Sequence, residues 1–544
     1  MSEGERRAVT LERSHPLYSR MKYYNRLTPS AESSHHFRAP QHIVWGGVSP
    51  YALFDTSGKQ ASSFSTVFSI WNVMVGSGLL VMPWAFQNAG LVGGSLVLAL
   101  VGLGCFYTAC IIVEHSHGFD DFPDMVMRYF GSPAMGKAGY YFASWSSVVM
   151  LLAVLVVYLT MISDFLHAVV SSIILWSHGR EALNNFLTGA VSEWFSLKTV
   201  PVYMGLVLFP FTNMRDIGPL VKFNSFGILS ILYIIGFIVT RGVHDISQTK
   251  PSFSSFSDKW YYLAGLSMVS FFIHNAILPI VRNKKSPKHN RRDLGLAFFL
   301  VFLTYASCGI AGYLAFSHTD IPQNFLNAYG YDEVTPFIAR LALFVQLSGV
   351  YPLLAYIVRL QVFTILLSPP SPSSLSSSSS KKGKKKGKGK GKGKGGDEER
   401  LGPKTSINTA ASERSALLGD VEIADGVGNS MSASSRAVVA AASEEQVVDP
   451  RDPAYTPMSY MALLNAYIAI QTILISIYFP YIGTVLRFCG AFCAAPFVFF
   501  LPIGVLAGYY KDSPPNASWL VKGFWVWHTP ILLIATALAV LQII

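Results

Sequence analysis

The chain has 544 residues, of which 51% are hydrophobic and only 13% charged, and its mean hydropathy is +0.39. A soluble domain carries about 25% charged residues, so composition excludes an ordinary soluble protein. The net charge of +11 is not a nucleic-acid signature, because nine lysines interleaved with glycine between 381 and 394 carry most of it and the balance without them is +2, leaving no broad basic face.

The first 62 residues are polar, carry several Arg and Lys and show no cleavable signal. Apolar blocks follow, each near the roughly 20 residues a helix needs to cross a bilayer. They predict an all-α membrane protein with about eleven spans, at 65–89, 91–114, 138–164, 200–214, 218–241, 260–281, 294–317, 334–360, 458–479, 482–508 and 520–543. The chain thus divides into a tail (1–62), spans one to eight (63–367), a hydrophilic insert (368–456) and spans nine to eleven (457–544). Residues 165–199 read as a loop without Cys or a sequon.

Arg282, Lys284, Lys285, Lys288, Arg291 and Arg292 lie between spans six and seven, and the Lys/Gly tract lies between spans eight and nine. Both fall on the side of the N-terminus, which puts the N-terminus in the cytosol and the C-terminus in the lumen or outside. The sequon at Asn516 then falls in a cytosolic loop. The insert is Pro/Ser-, Lys/Gly- and Ala/Ser/Glu-rich in turn and has too little apolar content to offset ordering entropy, so it reads as disordered. Its lysines suit either contact with anionic membrane lipids or a solvated linker. Cys105, Cys110, Cys308, Cys489 and Cys493 all sit in apolar blocks without metal-ligand spacing. They read as buried thiols, with no structural disulfide and no metal site.

The informative segment lies in the first span: Asn72-Val-Met-Val75-Gly76-Ser77-Gly78-Leu-Leu-Val-Met-Pro83-Trp-Ala, then Gly90. Two glycines and a proline within eight residues are costly inside a helix. Backbone groups freed at membrane depth must face protein or a watery cavity. The N–H groups of Ser77 and Gly78 could hold a substrate carboxylate, and free carbonyls an amine or a cation. The alternative is a kinked packing helix, since Gly and Pro are common in membrane spans.

The Asn…Gly-Ser-Gly-Leu-Leu-x-x-Pro-x-Ala…Gly pattern resembles the first helix of the amino acid/auxin permease family. Further segments carry the resemblance from about residue 63 to the C-terminus outside the insert. They include Ser69-Ile-Trp-Asn72, Tyr129-Phe-Gly131, Lys222-Phe-Asn224, Phe271-Phe-Ile-His274-Asn275, Gln323-Asn-Phe-Leu326 and Val350-Tyr-Pro-Leu-Leu354. The resemblance implies a LeuT-like fold of two inverted five-helix repeats plus one helix, with helices one and six broken. It implies amino acids as substrates, held between Asn72, Val75, Gly76, Ser77 and Gly78 and, on the sixth span, Ser267, Ser270 and His274. His274 has a packing role as its alternative. The family's sodium site uses first-helix carbonyls and a hydroxyl in helix eight. The matching position here is Gly349, with Ser348 beside it, so the ion set implied is Asn72, Ser348 and Gly349. Na+ is the one coupling ion in view and its coupling is expected to be weak or absent. No other cofactor is implied.

The tail segment Arg20-Met21-Lys-Tyr23-Tyr24-Asn-Arg26-Leu27-Thr-Pro29, with Ala39-Pro40-Gln-His42, resembles a lysosomal, arginine-responsive member of the family that activates TOR signalling. That member's tail binds Ragulator and the Rag GTPases, which implies Met21, Tyr24, Leu27 and Pro40 as contacts here. Glu413-Arg-Ser-Ala-Leu417-Leu418 fits an acidic dileucine signal for lysosomal, late endosomal or vacuolar sorting. A carrier and a sensor or scaffold signalling through the tail are both open readings. An enzyme is not expected, because no paired acid and base, nucleophile or metal constellation stands in the spans.

Overall fold

The computed structural model describes residues 62–116, 119, 121–130, 132–214, 227–248, 251–282, 287–367, 458–511 and 524–542, and every regular element among them is helical. Met21, Tyr24, Leu27, Pro40, Glu413, Leu417, Leu418, the Lys/Gly tract and the Asn516 sequon lie outside the described residues. Among the described residues, seven helices are long and apolar enough to cross a membrane, and an eighth crossing arises where two helices meet at a 64° bend.

The bent pair is α1 (Ser63–Met74) and α2 (Gly78–Ala89). Ser62 caps α1, its hydroxyl accepting from Ser65 N–H at 3.2 Å. Gly90 then reverses the chain at φ +80°, and a side chain there would meet the backbone of Ser255 and Phe256 at 2.8 Å, so only glycine suits the turn. α3 (Leu91–His115) starts at once. Its first N–H groups donate to the neighbouring loop, Leu91 to Ser254 O at 2.8 Å and Gly93 to Ser255 O at 2.9 Å. This satisfies the orphan donors of a helix start.

After the short α4 (Phe122–Tyr129) comes α5 (Pro133–Thr188). The expected third span ended at 164 with a loop to 199. Instead α5 runs on to Thr188, with one left-handed residue at Gly179 (φ +83°). The stretch from Phe165 to Trp176 contains no Gly, Pro or charged residue, so nothing in it stops a helix. Next come α6 (Ala190–Trp194), α7 (Val200–Thr212) and α8 (Gly227–Gln248). The expected sixth span is two pieces, α9 (Trp260–Ser270) and α10 (Ile277–Arg282). Then follow α11 (Asn290–Ala315), α12 (Val334–Leu367) and α13 (Met458–Tyr478).

The expected tenth span is α14 (Ile482–Cys489) and α15 (Leu501–Lys511), joined by π-helical turns at Gly490–Ala494 and Pro496–Phe500. Pro496 has no N–H to give the ordinary ladder, and a wider turn absorbs the gap. α16 (Phe524–Leu541) ends the described chain.

Small residues let the helices that frame the break approach closely. A Cβ on Gly312 of α11 would come within 2.5 Å of Pro83, and one on Gly309 would overlap Phe86. α11 therefore lies directly on α2, as small residues permit in membrane bundles. It also holds α1, since Trp71 Nε1–H donates to Thr304 Oγ at 3.0 Å and the Thr304 hydroxyl donates onward to Leu300 O at 2.8 Å.

Candidate functional site

The α1 ladder ends where Val75 turns extended. Ser77 then begins α2 with no side-chain cap, and only tight-turn bonds bridge the gap, Leu79 N–H to Gly76 O at 3.0 Å and Leu80 N–H to Ser77 O at 3.3 Å. The N–H groups of Ser77 and Gly78 stand ahead of the helical ladder, at its positive end. A carbonyl freed by the break is met from α11: the Tyr305 hydroxyl donates to Met74 O at 2.7 Å. Tyr305 is buried and shares the core with Phe271 of the α9–α10 break, ring centroids 6.1 Å apart.

The two breaks face one another. A Cβ on Gly78 would lie 2.9 Å from Ser270 Oγ, so glycine is what allows α2 to sit against the end of α9. Ser270 donates to Leu266 O at 3.0 Å. Ser267 is fully buried, and its hydroxyl has no hydrogen-bond partner among the described residues.

A cavity opens at the break, lined by Gly76 and Ser77, by Leu79 and Leu80 of α2, and by Tyr158 and Met161 of α5. Ile231 and Ile234 of α8 and Leu343, Gln346 and Leu347 of α12 close it. Its volume is about 30 Å³, room for one or two water molecules. A space of this size admits a larger ligand only if the surrounding helices part. The wall is largely apolar, with polar groups at the Gly76–Ser77 backbone, Tyr158 and Gln346. That is the usual composition of a site that orients a small ligand by a few polar contacts.

Of the residues singled out from the sequence, Gly76 and Ser77 line the cavity. Gly78 and Ser270 meet beside it, while Asn72 and Val75 are buried next to the break. His274 does not join the lining. It sits past the α9 break, fully buried, with Nε2 2.9 Å from Thr108 Oγ on α3. The Thr108 proton is held by Gly104 O and Cys105 O, each at 3.1 Å, so the imidazole donates through Nε2–H. Ser348 and Gly349 follow Gln346 and Leu347 in α12 without reaching the lining. The Ser348 hydroxyl is buried with no hydrogen-bond partner among the described residues.

Sequence reasoning did not single out Tyr158, Met161, Ile231, Ile234, Leu343 or Gln346. Their only signal is spacing at i, i+3 within apolar helices, which also describes plain core. Among the described residues, no group of three or more His, Cys, Asp or Glu side chains could hold a metal ion.

Against known proteins, the model of the family described as transmembrane amino acid transporter protein matches residues 59–544. The chain belongs to this family, the amino acid/auxin permeases. Among curated members it is 33% identical over 413 residues to the sodium-coupled neutral amino acid transporter 9 homolog of Caenorhabditis elegans, covering 65% of this chain and 66% of that one. It is 30% identical over 410 residues to neutral amino acid transporter 9 of Xenopus tropicalis, covering 63% and 72%. The matched stretch thus spans just under two thirds of the nematode permease's own length. A solved structure of a Na+-coupled sialic acid symporter in a substrate-bound outward-open state aligns over 88% of this chain and 98% of its own. Its TM-score is 0.34 at 11% identity, a likeness too slight to bear on this permease's fold.

Proposed function

We propose that the protein carries arginine and neutral amino acids across a lysosomal or vacuolar membrane, and that its N-terminal tail signals amino-acid sufficiency to the TOR kinase complex. The observation that carries the transport reading is the broken first helix, with Ser77 and Gly78 N–H groups outside the ladder beside a small cavity. In this reading the substrate carboxylate sits on those N–H groups, and its side chain lies among the apolar residues of α5, α8 and α12. The relatives' names, neutral amino acid transporter 9 and its sodium-coupled homolog, support the substrate class.

The fold belongs to the same proposal: eleven spans, as two inverted five-helix repeats and one further helix. Counting the shorter α7, the α9–α10 pair and α16 with the eight crossings gives that number. The break in the first span recurs in the sixth, five spans later, as an inverted repeat requires. Na+ is the candidate coupling ion, and the nematode relative's name carries it. Gly349 offers no side-chain oxygen at the implied helix-eight position, so dependence on Na+ is weak or absent in this reading, with Ser348 the oxygen that could restore it. The signalling role rests on the tail residues Met21, Tyr24, Leu27 and Pro40, with Ragulator and the Rag GTPases as partners. The lysosomal address rests on Glu413, Leu417 and Leu418. The N-terminus is cytosolic and the C-terminus luminal.

The test is uptake of radiolabelled arginine and glutamine into proteoliposomes holding the full chain. Saturable uptake above protein-free vesicles is expected. Correctly inserted protein that moves neither amino acid would overturn the transport reading and leave the tail to a pure sensor or scaffold.

A further inference from the structure

Asp164 stands on α5 three residues beyond Met161, which lines the cavity, and residues three apart are neighbours on a helix surface. Its neighbours Ser163 and Phe165 are buried, whereas Asp164 keeps part of its surface accessible. The loop that joins α11 to α12 covers it. Asn324 and Asn327, at the short 3-10 turn Phe325–Ala328, donate through Nδ2 to Asp164 Oδ2 at 3.4 and 3.5 Å. These are long, weak hydrogen bonds from neutral amides.

Among the described residues Oδ1 accepts no hydrogen bond, and no Lys, Arg or His forms an ion pair with this carboxylate. The other carboxylates on the cavity-lining helices differ. Glu181 is exposed beyond the Gly179 kink, and Asp245 pairs with Arg241 at 3.4 Å. His167, one turn further along α5, stacks on Phe195 and packs tilted against Phe186, ring centroids 6.0 and 5.9 Å away.

The same loop is clasped to the helices around the break. Gln87 at the end of α2 donates to Thr319 O at 2.7 Å and accepts from Ile321 N–H at 2.9 Å. Gln323 accepts from Gly483 N–H at 2.8 Å at the start of α14. Asp164 therefore lies where this loop meets α5, three residues beyond the cavity-lining Met161. A carboxylate in such a place is expensive unless a cation meets it. The cavity wall itself offers no acid.

We propose that Asp164 is the recognition point for the cationic side chain of a basic amino acid, an ammonium or guanidinium group, between the α11–α12 loop and the cavity. This rests on the transport reading and sharpens it. The Gly76–Gly78 break holds the α-carboxylate of any amino acid, and Asp164 adds affinity for basic ones alone. A guanidinium can bridge both carboxylate oxygens, so arginine gains more than lysine. A neutral side chain leaves Asp164 with its two amide donors.

The test compares wild type, Asp164→Asn and Asp164→Glu in proteoliposomes. The readout is the ratio of kcat/KM for arginine to that for glutamine. The asparagine keeps the side chain's size and an acceptor for Asn324 and Asn327. The arginine-to-glutamine ratio should fall about tenfold or more in Asp164→Asn, as expected for loss of a charge-assisted contact, and recover at least partly in Asp164→Glu. An unchanged ratio would overturn the proposal, because Asp164 would then serve only the loop. So would a variant that loses its response to a proton or sodium gradient for both amino acids while keeping the ratio, because Asp164 would then hold the coupling cation. If the wild type moves neither amino acid, transport fails as the function. Equilibrium binding of radiolabelled arginine against glutamine to the detergent-solubilised chain then decides Asp164 by itself, by the same ratio.

Discussion

Replacing Gly78 by alanine tests whether the two helix breaks must touch. The added Cβ would lie 2.9 Å from Ser270 Oγ, 3.7 Å from Tyr305 Oη and 3.9 Å from Ser270 Cβ. Only the first contact is prohibitive, and Ser270 cannot simply turn away without giving up its bond to Leu266 O at 3.0 Å. Over-packing of this kind costs about 1–3 kcal/mol. If the cost falls on the transport-competent state, uptake should drop about 5- to 150-fold. Valine adds two methyl groups beside Tyr305 and should abolish uptake while membrane insertion persists. The discriminating experiment is a double-mutant cycle on arginine uptake, with size-exclusion profiles to confirm folded protein. Ser270→Ala removes the oxygen and leaves its own Cβ at an ordinary 3.9 Å, so in that background Gly78→Ala should cost little. Unchanged uptake in Gly78→Val, or an equal Gly78→Ala penalty with and without Ser270, would refute the reasoning.

Tyr305→Phe should destabilise the protein by about 1–3 kcal/mol, because it leaves the buried Met74 carbonyl without its donor, and a thermal melt of the solubilised chain that does not shift would contradict this. Exchanging sodium for choline in the uptake assay should change flux little, and a large loss would show that Ser348 or another oxygen completes a sodium site. A labelled peptide of residues 1–60 should bind a Rag–Ragulator assembly in a fluorescence-anisotropy titration, with Tyr24→Ala and Leu27→Ala together removing most of the affinity and Asn25→Ala little, since large apolar anchors carry such contacts. Equal affinity of the wild type and the Tyr24/Leu27 double variant would leave the tail without this role.

The first break was legible because Gly76, Gly78 and Pro83 each disfavour a helix for a separate, local reason. The ends of α3, α11 and α13 were legible from the lengths of their apolar blocks. Other features are tertiary and have no local signature. In α5 and α12 almost every face is apolar, so periodicity could not say that Tyr158, Met161, Leu343 and Gln346 turn towards the break. The extension of α5 past 164 was missed because a few polar side chains in 165–188 resemble a loop start, although no residue there breaks a helix before Gly179. The contact between Gly78 and Ser270, and the placing of His274 against Thr108, depend on how α9 stops and how closely α2 and α3 approach it. Asp164 is the last residue of the expected third span, and its sequence context alone singles out no role for it. What it faces became visible only with the α11–α12 loop folded over it.

The central claim is that amino acids cross the membrane through the site at the α1–α2 break. Uptake of radiolabelled arginine and glutamine into proteoliposomes, measured side by side for the wild type and Gly78→Val at equal insertion, tests it most directly. The account predicts saturable uptake by the wild type, competed by unlabelled amino acid, and background counts for the variant. Equal uptake by the two proteins, or none by a correctly inserted wild type, would contradict it.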